Sequence, residues 1–149
     1  MLKPIMLVED NPNDLELTLV ALEHARLVNE VVVIRDGADA LDYLHCRGRW
    51  AGRTRGNPAV ILLDIKLPKR SGLEVLEEIK RDPELKHVPV VMLTSSREEP
   101  DLTRSYDLGV NAYVVKPVSF QEFVRAVQEL GGFWAVLNEP PPGSIKPLR

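Results

Sequence analysis

Val60-Ile61-Leu62-Leu63-Asp64 is an apolar run closed by a carboxylate. A run without polar alternation fits a strand covered on both faces, the habit of parallel sheets. Downstream, Ser71-Gly72-Leu73-Glu74 has capping-box spacing, and Val75 and Ile79 follow at helical period, so the strand leads into a helix. The same unit recurs outward in both directions. Ile5–Val8, Val31–Ile34, Val90–Leu93 and Ala112–Val115 complete a set of strands, each read as covered on both faces. The alternation predicts an α/β fold, a parallel sheet with helices on both sides.

Asn11 can cap the first helix with Pro12 at its first position, and Leu15, Leu19 and Leu22 share a face. The second helix is expected from near Asp39, carrying Ala40, Leu41 and Leu44. The fourth is expected over Asp101 to Leu108, stopping at Gly109. Ser119-Phe120-Gln121-Glu122 is a second capping-box signature, with Phe123, Val124 and Val127 behind it. Residues 45–58, rich in Gly and Arg, predict a surface insertion. From Glu139 onward, Pro140-Pro141-Pro142-Gly143 predicts an extended or disordered tail.

A chain of 149 residues fits one compact domain, and 44% hydrophobic with 28% charged residues is a soluble, globular balance. The net charge of −3 offers no clustered cation for nucleic acid, and the short arginine stretch from Arg47 to Arg55, with Trp50 as its one aromatic, reads as a solvated loop. The first apolar run is too short for a signal peptide or a membrane span, so a cytoplasmic protein without membrane attachment is expected. Cys46 stands alone, which excludes an internal disulfide and reads as a partly buried small side chain. His24, His45 and His87 are scattered and read as ordinary surface or core residues.

Ligand sites of open parallel sheets lie outside the carboxyl ends of the strands. There the first strand ends in Glu9-Asp10, the third in Asp64, the fourth in Thr94-Ser95 and the fifth in Lys116-Pro117. Three crowded carboxylates raise one another's pKa unless a cation joins them, and an all-oxygen set suits Mg²⁺. No glycine-rich loop follows the first strand, and its acidic turn would repel a bare phosphate. A carboxylate attacks a phosphoryl group when a metal and a fixed cation stabilise the transferring oxygens. That chemistry assigns Asp64 as nucleophile, Lys116 as cation, and the Thr94 hydroxyl or Ser95 N–H as a bond to a third oxygen.

Glu9-Asp10, Leu62-Leu63-Asp64 with Leu67-Pro68 and Gly72, Thr94-Ser95 and Lys116-Pro117 resemble the receiver-domain motifs of two-component response regulators, over roughly residues 3–130. The resemblance implies a flavodoxin-like doubly wound (βα)5 fold with a five-stranded parallel sheet in the order 2-1-3-4-5, a receiver over 1–138 and a tail over 139–149. It implies a phosphoacceptor rather than an enzyme, taking part in its own phosphorylation and dephosphorylation. Asp64 would receive the group from a sensor histidine kinase. Glu9, Asp10, Asp64 and the Lys66 backbone carbonyl would hold Mg²⁺, for which Mn²⁺ or Ca²⁺ substitutes. Thr94, Ser95 and Tyr113 would switch with phosphorylation, and Pro117 would follow a cis bond.

The long loop before the third strand, Leu67-Pro68-Lys69 and the late Phe133-Trp134 look like the stand-alone regulators that serve phytochromes. With no output domain expected, the readout would be a homodimer through the faces of the fourth and fifth helices, or a changed partner. Phe133, Trp134 and Leu137 would either join that interface or close the core. Glu9 stands where Asp is commoner, and Lys66 where Asn or Met is frequent. A haloacid-dehalogenase-type phosphatase needs a second Asp where Lys66 stands. A degenerate receiver that binds constitutively would not need so complete a site.

Overall fold

The computed structural model describes residues 3–24, 29–54, 56–95, 98–116 and 119–128. Strands β1 (Ile5–Val8), β2 (Val31–Ile34), β3 (Val60–Leu63), β4 (Val90–Thr94) and β5 (Ala112–Val115) alternate with helices α1 (Pro12–His24), α2 (Gly37–Leu44), α3 (Gly72–Arg81), α4 (Glu99–Asp107) and α5 (Phe120–Gln128). All pairings are parallel and the order is β2-β1-β3-β4-β5, the order implied by the resemblance.

Because side chains alternate along a strand, the sheet builds two cores. Met6, Val8, Ile61 and Leu63 face Ala40 and Leu41 of α2 and Val75, Leu76 and Ile79 of α3. Ile5, Leu7, Val60 and Leu62 face Leu15 and Leu22 of α1 and Phe123 and Ala126 of α5. The uniform runs of β1, β3 and β4 are buried throughout. β2 and β5 are edge strands and only partly covered, so their apolar composition overstates their burial.

Three boundaries differ from expectation. α2 begins at Gly37 rather than near Asp39, because Asp36 caps it: the Asp39 N–H donates to the Asp36 carboxylate at 2.6 Å. α4 begins at Glu99, with Pro100 filling a first-turn position whose N–H needs no partner. β4 runs on to Thr94, carrying that hydroxyl residue into the ladder. The capping box at Ser71 and Glu74 forms in both directions.

Residues 45–58 contain a 3₁₀ turn, Gly48–Trp50, fastened to α2. Cys46 there is half-buried. Among the described residues no helix is long and apolar enough to cross a membrane. The expectations for Pro117, Phe133, Trp134, Leu137 and the tail fall outside the described residues.

Candidate functional site

The ladders continue one residue past the strands and so fix the site. The Glu9 N–H donates to the Ile34 carbonyl at 2.9 Å, the Asp64 N–H to Val8 at 3.1 Å, and the Lys116 N–H to Thr94 at 2.8 Å. Each of those three side chains therefore leaves a rigid sheet edge at the carboxyl end of its strand.

The Lys116 ammonium is the centre of the arrangement. It donates to Glu9 Oε1, to Asp14 Oδ2 at 2.9 Å and to Asp64 Oδ2 at 3.1 Å. Relative exposure is 2% for Glu9, 7% for Asp64 and 8% for Lys116, so these charges meet largely out of water. The second oxygens are also engaged: the Asn11 N–H donates to Glu9 Oε2 at 3.2 Å, and the Lys66 N–H to Asp64 Oδ1 at 3.3 Å. Thr94 is fully buried at the end of β4.

Asp10, Ser95 and Lys66 are exposed at the same end of the sheet. Tyr113 is half-buried, packed against the core of α2 and α3 and lining a groove with Tyr106, Glu122 and Arg125. The structure thus unites Glu9, Asp64 and Lys116 and leaves Asp10 facing solvent. Asp14 was not foreseen: an acid in the first turn of a helix reads as a partner of the helix dipole, and only its position after β1 hints at the mouth.

Burial, reinforced by the neighbouring Asp64 carboxylate, pushes Glu9 up to about 7, against the lowering pull of Lys116. For Lys116 burial opposes the charge, but the bonds to Glu9 and Asp14 and the field of Asp64 outweigh it and raise its pKa. One ammonium shared by three carboxylates leaves the cluster negative. That residual charge and the all-oxygen donors fit a hard divalent cation. Yet among the described residues no three acid, histidine or cysteine side chains stand ready to hold a metal by themselves, since the acids converge on Lys116. A cation entering here competes with the ammonium for Glu9 and Asp64.

The response regulator receiver domain family matches residues 5–128. Response regulator Rcp1 of Synechocystis is 41% identical over 132 residues, 89% of this chain and 88% of Rcp1. Its Mn(2+)-bound structure superposes with a TM-score of 0.76 at 40% identity, covering 93% of this chain and 97% of that one. The probable methanogenesis regulatory protein FilR2 of Methanothrix harundinacea is 42% identical over 137 residues, 92% of this chain and 86% of FilR2. The structure of the bacteriophytochrome response regulator RtBRR is 67% identical, with a TM-score of 0.86, covering 97% of this chain and 87% of that one.

Proposed function

Because this chain belongs to the response-regulator receiver family, we propose that it accepts a phosphoryl group from a sensor histidine kinase on Asp64 and signals by changing what it binds. The observation that carries this reading is the largely buried Asp64 carboxylate at the mouth of the sheet, with the Lys116 ammonium 3.1 Å from its Oδ2. Poor hydration leaves the carboxylate a better nucleophile, and the fixed ammonium lies where transferring oxygens arrive.

An Asp64 oxygen forms the new bond to phosphorus as the N–P bond of the kinase's phosphohistidine breaks. The imidazole departs with the electron pair and regains its proton from solvent. Lys116 keeps its charge and turns to a phosphoryl oxygen, while the Thr94 hydroxyl or the Ser95 N–H bonds another. Glu9, Asp10, Asp64 and the Lys66 carbonyl would hold Mg²⁺, which would supply further charge neutralisation. The acidic donor set supports that role, as does the Mn(2+)-bound form of Rcp1. Movement of Thr94 and Tyr113 then biases the face of α4 and α5 toward a homodimer, a population shift between two arrangements.

Intact-protein mass after incubation with acetyl phosphate and Mg²⁺ tests the chemistry. One added phosphoryl group in the wild type, absent in Asp64→Asn and absent with EDTA, is expected; no gain in the wild type rejects the reading. The likeness to RtBRR supports a bacterial phytochrome as the kinase. Phosphotransfer from a bacteriophytochrome kinase, changing between red and far-red light, is the corresponding result, and light-independent failure of transfer rejects that partner.

A further inference from the structure

Asp14 touches the ammonium of Lys116 but is placed apart from the proposed metal donors. It is the third residue of α1, after Pro12 and Asn13, and its own N–H donates to the Asn11 side chain at 3.1 Å, as does the Asn13 N–H at 2.9 Å. In a capping box the acid at this position would reach back to the backbone N–H of the cap. Here the Asn11 N–H goes instead to Glu9 Oε2. The Asp14 carboxylate is turned to Lys116, where its side chain keeps 29% exposure against 2% for Glu9 and 10% for Asp64.

The ammonium is therefore pulled two ways. Glu9 and Asp64 draw it into the buried end of the site, onto the oxygens that a divalent cation needs. Asp14 draws it toward α1 and the solvent. We infer that Asp14 is a positioning residue that gives the Lys116 ammonium an alternative seat, so that a divalent cation can take Glu9 and Asp64 without leaving a buried lysine unpaired. A buried ammonium stripped of its partners is strongly unfavourable, so the entering ion would otherwise bear that penalty. With the seat in place, Lys116 yields its inner contacts and stays within reach of Asp64. This rests on Asp64 being the phosphoacceptor.

Calorimetric titration with MgCl₂ of the wild type, Asp14→Asn, Lys116→Ala and the double variant tests it. Asp14→Asn keeps the shape of the helix start and removes only the charge. In the wild-type background it is expected to weaken Mg²⁺ binding about fivefold, the size of one part-exposed ion pair. In the Lys116→Ala background the same change is expected to cost less than about twofold, because the group Asp14 acts through is gone. An equal loss in both backgrounds means that Asp14 acts on the metal by its charge alone and overturns the inference, as does an unchanged affinity in Asp14→Asn. Lys116→Met, which keeps the apolar stem, serves as the background if Lys116→Ala does not fold. The acetyl phosphate mass assay on the same wild-type sample separates the two readings. Phosphorylation without coupling between Asp14 and Lys116 removes only the positioning role, whereas coupling without phosphorylation removes the receiver reading.

Discussion

A methyl group on Gly72 would lie 1.9 Å from the Asp64 carbonyl oxygen and 2.8 Å from Ile65 Cα, both backbone atoms that cannot rotate aside. The Gly72 N–H also donates to the Ile65 carbonyl at 2.7 Å, so the start of α3 is pressed against the segment that carries Asp64. Gly72→Ala is thus expected to lose about 1–3 kcal/mol in urea unfolding, the usual cost of overpacking. It should also slow phosphorylation by acetyl phosphate by shifting Asp64 against Lys116; a variant with wild-type stability and rate would show that the loop yields freely. Asp64, Glu9 and Lys116 were legible because each ends an apolar run whose strand could be read directly. Asp14 was not, since nothing in its spacing distinguishes an acid that caps a helix from one that crosses to the lysine just after β5.

Among the elements, the 45–58 segment shows how a stretch that reads as a solvated insertion becomes part of the fold. Asp39 on α2 accepts from Trp50 Nε1 at 2.9 Å and from Arg49 Nε at 3.0 Å. The Trp50 and Tyr43 rings pack edge to face with centroids 4.9 Å apart, and Arg53 lies 4.0 Å over the Tyr43 ring while its Nε donates to the Tyr43 carbonyl at 2.8 Å. Arg47, Arg49 and Arg53, which read as part of a charged loop, thus all bond to α2. Sequence periodicity missed this because the partners pair across a turn and not along one helix face. Asp39→Asn is expected to cost about 1 kcal/mol and to change Trp50 fluorescence, without affecting phosphorylation. The bond from Arg49 holds the Asp39 carboxyl below its ordinary value of 3.8. A lowered folded value means that its stabilisation is complete above 3.8 and is lost as pH falls through the lower value. The acid limb of unfolding should therefore be shallower in Asp39→Asn, and identical limbs in the two proteins would show that Asp39 contributes nothing there.

In the whole molecule, a signal set off at Asp64 as proposed would have to leave a rigid sheet edge through something less firmly held. The central strands are buried throughout and cannot move far, whereas among the described side chains of α4 only Ser105 is buried. A helix with so small an apolar footing is held weakly, and the proposed shifts at Thr94 and Tyr113 would bias its position. Tyr106 and Leu102 on α4 are 52% and 37% exposed, and Tyr106 joins Tyr113, Glu122 and Arg125 around the groove between α4 and α5. The strand pattern made the sheet legible, but it carries no information on which outer face meets a partner; only the family resemblance pointed there. If that face forms the phosphorylated dimer, Tyr106→Glu places a charge among aromatic and apolar groups and should yield monomers in light scattering after acetyl phosphate treatment. Tyr106 has no part in the transfer chemistry, so the mass gain of one phosphoryl group should persist in the variant. A Tyr106→Glu protein that is phosphorylated and still dimeric would place the interface on another surface, because a buried unpaired carboxylate in the contact could not be tolerated at so little cost.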